Sequence, residues 1–163
     1  MFVLVLAFGI AIACSSGRRG VSEASMNAVT TFGDEISLEG YAIHPKDGHT
    51  AVELKWAALR KPAADYYVFV HAIDSAGGIV FQLDHPLKNA AGQLTAAWAA
   101  GDAVTDGFLA VPPAGQAPGA YTLRMGIYVP SPMKLLHITR SGFVQPKDAW
   151  NDHAILIEQV DCR

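Results

Sequence analysis

The stretch AYTLRMGIYV, residues 120–129, decides the fold of this chain. Large apolar side chains alternate there with small or polar ones, as a β-strand with one buried face requires. The side chains expected to face inward are those of Tyr121, Leu123, Met125, Ile127 and Val129, and those expected to face outward belong to Thr122, Arg124, Gly126 and Tyr128. An amphipathic helix would instead repeat its apolar residues every three or four positions. The stretch therefore predicts one strand of a half-buried sheet.

Similar stretches lie on both sides of it, separated by turn-forming sequences such as Pro45-Lys46-Asp47-Gly48. The further predicted strands cover residues 35–43, 51–59, 66–73, 79–84, 104–111, 135–139 and 153–160. Residues 87–100 are rich in alanine and are the one stretch with helical character. About eight short strands predict an all-β antiparallel sandwich of the immunoglobulin-like or carbohydrate-binding-module-like kind.

The N-terminus carries a second informative pattern. Residues 2–13 read FVLVLAFGIAIA and lead directly into Cys14. This apolar run is shorter than the about 20 residues that cross a bilayer, but it has the length of the central region of an export signal. Ala11-Ile12-Ala13-Cys14 resembles the lipobox of bacterial lipoproteins, in which the cysteine is lipidated and becomes the new N-terminus. We therefore expect an exported protein, lipid-anchored through Cys14 in the bacterial cell envelope, on the periplasmic or the outer surface.

Two other interpretations of this segment stay open. No Lys or Arg precedes Cys14, and the basic pair Arg18-Arg19 follows the apolar run, which suits the cytoplasmic flank of a membrane helix. Residues 2–13 would then be the end of a longer transmembrane helix in a truncated chain. Alternatively, the segment is a cleaved signal without lipid attachment.

The remaining chain has the size and composition of one domain. We expect a signal peptide over residues 1–13, a flexible tether over 14–31, because that segment has few large apolar side chains, and a single β-sandwich over 32–163. The net charge of −3 provides no basic face for phosphates, so nucleic acid is not an expected partner. With Cys14 acylated, Cys162 is a lone thiol; without acylation, a Cys14–Cys162 disulfide becomes an alternative.

Several short motifs of the body resemble a known module. They are Phe32-Gly33-Asp34, Leu38-x-Gly40-Tyr41, Leu54-x-Trp56, Asp65-Tyr66-x-Val68-Phe69-Val70-His71, Trp98-x-x-Gly101-Asp102, Leu109-x-Val111-Pro112 and Pro118-Gly119-x-Tyr121-x-Leu123-x-x-Gly126-x-Tyr128. Together they resemble a β-sandwich module of bacterial envelope proteins, found as the periplasmic or extracellular tail of glycosyltransferase-like membrane proteins and in freestanding exported proteins. The resemblance implies the fold and the compartment, and it implies no catalytic residue.

Catalytic and cofactor motifs are missing from the sequence. It contains no GxSxG, HExxH or GxGxxG motif and no phosphate-binding loop, so we expect no catalytic residues and no cofactor. The six histidines show neither the His-x-His nor the His-x-x-x-His spacing of metal sites, and no metal is expected. One alternative is a spatial cluster of His71 with Asp84 or His85 across a hairpin; the other is that His71 is a buried, hydrogen-bonded residue of a central strand.

The aromatic residues suggest where a ligand would bind. Trp56 alternates with Val52 and Leu54 and is predicted to lie in the core, while Tyr121 resembles a tyrosine corner, whose hydroxyl holds a loop. The remaining candidates for stacking on a sugar face are Trp98, Tyr128 and Trp150.

The sequence thus predicts a non-catalytic, membrane-anchored binding or accessory module for a glycan or an envelope protein partner. Two alternatives are an enzyme or metal-binding protein whose site is assembled from dispersed His and Asp residues, and a purely structural spacer.

Overall fold

The computed structural model describes residues 24–163 and is almost entirely β. The twelve strands, in chain order, are β1 (Ala24–Met26), β2 (Thr30–Phe32), β3 (Ile36–Lys46), β4 (His49–Ala58), β5 (Tyr67–Ile73), β6 (Ile79–Gln82), β7 (His85–Pro86), β8 (Ala103–Leu109), β9 (Gly119–Pro130), β10 (Met133–Leu135), β11 (Ile138–Arg140) and β12 (Ile155–Cys162). The predicted all-β fold is confirmed. The strand number exceeds the expected eight because several strands span only two to four residues.

Two antiparallel sheets form the molecule. The first sheet has the order β11-β2-β3-β4-β8, with β1 also paired to β3. The second sheet has the order β10-β9-β5-β6, with β12 also paired to β9 and β7 to β5. Residues 120–129, whose alternation predicted a strand, lie in β9. This strand lies between β5 on one side and β10 and β12 on the other.

The inner faces of both sheets enclose one hydrophobic core. Trp56 is 1% exposed and packs against Phe32, with 6.2 Å between the ring centroids, so its predicted core position is confirmed. Leu123, Met125 and Ile127 of β9 are likewise buried in the core, as their alternation predicted. Tyr121 donates a hydrogen bond to the carbonyl of Ala117 at 2.7 Å, which is the loop-holding role expected of it.

The predicted start of the domain at residue 32 is wrong. Part of the expected tether belongs to the sandwich, since β1 and β2 both pair with β3 and both threonines of β2 are buried. Gly40 explains the close approach: a Cβ there would lie 2.6 Å from the carbonyl oxygen of Met26. Backbone pairing thus orders a segment that lacks large apolar groups.

The expected signal segment and Cys14 lie outside the described residues. Within residues 24–163, no helix has the length and apolar character needed to span a membrane. The alanine-rich stretch at 87–100 contains a single 3-10 turn, Thr95–Ala97.

Candidate functional site

The outward face of the second sheet is covered by the chain itself. Arg124 faces outward from β9 as predicted, yet it is only 2% exposed. The ring of Trp150 lies over it, with the guanidinium carbon 4.5 Å from the ring centroid. Asp148 accepts a bond from Arg124 Nη1 at 3.4 Å and another from the backbone N–H of Trp150 at 2.9 Å. The segment before β12 therefore returns across this face and fixes Trp150 above Arg124.

Gly126 allows the segment to lie this close. A Cβ at this position would overlap the carbonyl oxygen of His153 and would lie 2.5 Å from Cζ of Phe69. Phe69 is the cross-strand neighbour of Gly126 on β5, and its ring fills the space that a side chain on β9 would occupy. Because Gly126 has no side chain, β9 and the returning segment can approach each other this closely.

A groove of about 470 Å³ opens beside Trp150 on this face; we call it the outer groove. Its lining residues come from β5, β6 and the residues after it, the β9–β10 hairpin and the returning segment, and they are Phe69, His71, Ile79, Gln82, Asp84, Tyr128, Pro130, Met133, Leu135 and Trp150. Its volume falls in the range of small-molecule sites, about 300–1,000 Å³. Met133 is 74% exposed and Ile79 is 47% exposed, so the groove presents apolar surface to solvent.

The polar side chains of the outer groove converge on one side of it. The amide nitrogen of Gln82 lies 2.9 Å from Nε2 of His71. Because an amide nitrogen can only donate, Nε2 accepts this bond and the imidazole proton resides on Nδ1. Asp84 accepts a bond from the backbone N–H of Val70 through Oδ1 at 2.9 Å, which holds its carboxylate at the groove.

His71 is neutral in this arrangement. Burial lowers its pKa below the ordinary value of 6.5 and outweighs the opposing charge of Asp84, while the charge of Arg124 lowers the pKa further. His71 Nε2 and Asp84 Oδ1 lie 3.9 Å apart, and because the imidazole is neutral they do not form an ion pair at neutral pH. Within the described part of the chain, His71 Nδ1 and Arg124 Nε are buried without a hydrogen-bond partner.

The structure separates the three predicted stacking residues. Tyr128 and Trp150 both line the outer groove. Trp98 is 1% exposed in the hydrophobic core, where its Nε1 donates to the carbonyl of Gln93 at 3.2 Å. Its prediction as a stacking residue is wrong, because the turn that carries it packs its ring inward and no ligand reaches it. Cys14, the predicted lipid-attachment site, lies outside the described residues.

The proposed histidine cluster forms only in part. His71 is buried and hydrogen-bonded on a central strand, and Asp84 lies beside it. His85 turns away and contacts Asp106 of the first sheet, with 2.9 Å between Nε2 and Oδ2. Among residues 24–163, no group of three or more His, Cys, Asp and Glu side chains is arranged to hold a metal ion.

Several lining residues of the outer groove are not predictable from the sequence pattern. Phe69, Gln82, Met133 and Leu135 were not singled out, because strand alternation does not reveal which outward faces are covered. One signal was available: the tight hairpin at Pro130-Ser131-Pro132 pairs Met133 with Pro130 and Leu135 with Tyr128, which places two apolar side chains at the end of β9.

Comparisons with protein-family models, with curated proteins and with solved structures found no match to this chain. The site must therefore be interpreted from its own geometry. The outer groove combines three aromatic rings and an apolar wall with a carboxylate, an amide and a neutral imidazole. A second depression, of about 360 Å³ over β4 and β8, contains one aromatic ring, that of Phe108. The outer groove is the better candidate for a binding site, because apolar walls with a few converging polar groups are typical of such sites.

Proposed function

We propose that this protein is an exported, lipid-anchored, non-catalytic binding module of the bacterial cell envelope, and that the outer groove is its binding site. The observation that supports binding is the groove itself, where Tyr128, Trp150 and Phe69 lie beside a fixed carboxylate and amide. The apolar run ending at Cys14 supports export and anchoring, and the resemblance to envelope β-sandwich modules supports the compartment. A glycan or an envelope protein would be the partner.

The groove can be tested with a matched pair of variants. Purified wild type, Tyr128→Ala and Leu59→Ala would be applied to a glycan array and to immobilised envelope extract. Leu59 is 50% exposed and does not line the outer groove, so it controls for loss of an exposed apolar side chain. We expect Tyr128→Ala to lose the bound partner and Leu59→Ala to keep it. Equal binding by all three proteins, with unchanged thermal unfolding, would refute the proposed site and favour a structural spacer.

Lipid attachment at Cys14 has its own test. Mass spectrometry of protein extracted from its native membrane should reveal an acylated N-terminal cysteine, and Cys14→Ser should release the protein from the membrane. More than one acyl chain is expected, because a single chain gives only marginal anchoring. A membrane-bound form that retains an unmodified Met1 would contradict this assignment and favour the transmembrane alternative.

One observation favours a second candidate, an enzyme with a dispersed site. His71 and Asp84 lie 3.9 Å apart at the outer groove, on the two sides of the β5–β6 hairpin. A hydrolase or transferase activity that purifies with the wild type and disappears in a folded Asp84→Asn variant would establish this alternative. Activity that remains in that variant would point to a contaminant.

A further inference from the structure

The outer groove has two chemically different sides. Pro130, Met133 and Leu135 of the β9–β10 hairpin form an apolar wall, and Tyr128 lies next to it. Gln82 and Asp84 provide hydrogen-bonding groups on the side formed by β6 and the residues after it. A ligand that fills the groove must therefore carry an apolar face on one side and hydrogen-bonding groups along the other. A pyranose ring has both, since its C–H face is apolar and its edge carries hydroxyl groups.

The polar groups are positioned for hydroxyl ligands. Asp84 Oδ1 accepts from the backbone N–H of Val70, so Oδ2 is the carboxylate oxygen that remains to accept from a ligand. Gln82 donates to the neutral imidazole of His71, so its carbonyl oxygen is turned away from that contact. Two oxygens on adjacent side chains can accept from two neighbouring hydroxyl groups. An apolar peptide side chain would leave both unpaired, which disfavours it as the occupant.

The charge at the groove selects against anionic ligands. Asp84 is the one charged side chain among the lining residues, so an anionic ligand meets a like charge. The nearby cation, Arg124, is behind Trp150 and is paired with Asp148, so it offers no direct contact to an anion. A cationic ligand is attracted by Asp84, but the Trp150 ring that could stack on it already lies against the guanidinium of Arg124.

We propose that the outer groove binds a neutral sugar ring, with its C–H face on Tyr128 and Trp150 and two neighbouring hydroxyl groups on Gln82 and Asp84. Acidic sugars are rejected by the Asp84 carboxylate. This inference rests on the proposed function, because it names the ligand of the same site. His71 lines the groove but is only 4% exposed, and it serves as a positioning residue, since its Nε2 accepts from the Gln82 amide and orients it.

The test uses neutral methyl pyranosides of the glucose and galactose series, with glucuronic acid and galacturonic acid as their charged counterparts. Binding to the purified protein would be measured by titration calorimetry at low ionic strength. We expect at least one neutral ring to bind and its uronic acid to bind about tenfold more weakly, a gap that shrinks as salt screens the charge.

Three variants test whether sugar binding and the discrimination against uronic acids depend on residues of the outer groove. Asp84→Asn keeps an acceptor for the Val70 amide and should remove the discrimination against the uronic acid, whereas Glu53→Gln, an exposed acid on the first sheet, should leave it unchanged. Tyr128→Leu keeps an apolar side chain but removes the ring, and it should abolish sugar binding.

Uronic acids that bind as well as neutral sugars, or a preference unchanged in Asp84→Asn, would overturn the inference. Sugar binding that survives in Tyr128→Leu would overturn the stacking geometry. If no sugar binds but an envelope protein is captured by the wild type and not by Tyr128→Ala, the sugar inference fails and the binding-module proposal stands. If nothing depends on Tyr128, both fail.

Discussion

The three tryptophans occupy three different environments, and each environment sets what the residue does. The Trp56 ring lies in the core, and within residues 24–163 its buried Nε1 has no hydrogen-bond partner. Trp98 is also in the core, but its Nε1 is satisfied by the carbonyl of Gln93. Trp150 lies on the outer face against Arg124. Of these three, only Trp150 is placed to contact a ligand.

Truncation of Trp56 should threaten folding. Trp56→Ala removes a fully buried ring and should lower the free energy of unfolding by about 3–5 kcal/mol. Trp56→Phe should cost much less, because it keeps an aromatic ring and removes an N–H that has no partner. Lys55→Ala, on the exposed side of the same strand, should change it by at most about 0.5 kcal/mol. Urea unfolding of the four proteins measures this, and equal midpoints for Trp56→Ala and Lys55→Ala would mean that the strand phase is misassigned.

The thiol of Cys162 should be unreactive in the folded protein. It is 0% exposed, and burial, together with the charge of Asp161, raises its pKa to about 12. A thiol reagent at pH 8 needs the accessible thiolate, so labelling should occur only as fast as the protein unfolds. The measurement is the labelling rate with and without urea, read at Cys162 by peptide mass spectrometry. Rapid labelling under native conditions would contradict the burial of this strand.

For the strands, alternation of apolar and polar residues predicted which side chains are buried on the inner faces. It did not predict which side chains of the outer faces are buried. Leu123, Met125 and Ile127 point inward because their spacing is a local property of the chain. Arg124 points outward as predicted, but its burial depends on a segment more than twenty residues later. The same limitation applies to the outer groove. Tyr128 and Trp150 could be nominated as aromatics of the outward phase or of connections, but their association requires the tertiary path of the returning segment.

Gly126 should be far less tolerant of substitution than Gly119 on the same strand. Gly126→Ala places a Cβ against the His153 backbone and the Phe69 ring, and such overpacking typically costs about 1–3 kcal/mol. Gly119→Ala meets only the Tyr121 ring at 3.8 Å, an ordinary contact, and should be nearly neutral. Thermal unfolding would measure both variants. Hydrogen exchange of the Trp150 and Ala154 amides would report whether the returning segment is displaced, and equal unfolding temperatures would argue against a tight contact at Gly126.

At the scale of the whole molecule, two histidines link stability to pH in opposite directions. Burial alone would lower the pKa of His85, but the hydrogen bonds to Asp106 and to the Leu83 carbonyl, with the charges of Asp106 and Asp84, outweigh it and raise the pKa. His85 therefore stabilises the fold fully below about pH 6.5, and this contribution is lost as the pH rises through its folded pKa. His71, with a lowered pKa, stabilises the fold above about pH 6.5 and loses that contribution as the pH falls.

Removal of His85 should reveal the pH dependence of stability that His71 causes, which has the opposite sign. His85→Gln should lower the free energy of unfolding more at pH 5.5 than at pH 9, because the wild-type contribution of His85 is present only when it is protonated. The variant should also become steadily less stable as the pH falls below about 6.5, through protonation of His71. Urea unfolding across this pH range measures both effects. A destabilisation by His85→Gln that is the same at every pH would mean that His85 does not titrate with a raised pKa.

Asp106 also affects the association of separate copies of the protein. It lies on β8, which forms one edge of the first sheet, and its carboxylate points inward, where it is 11% exposed and contacts His85. Inward-pointing charges on an edge strand discourage edge-to-edge pairing, because a flat, apolar edge would accept a strand from a neighbouring copy. The contact that joins the two sheets thus also protects the open edge from aggregation. We expect Asp106→Val to scatter light at concentrations at which the wild type and Glu53→Gln stay monomeric. Since a crowded protein repeatedly presents its edges to its own copies, this carboxylate matters most where the local protein concentration is high.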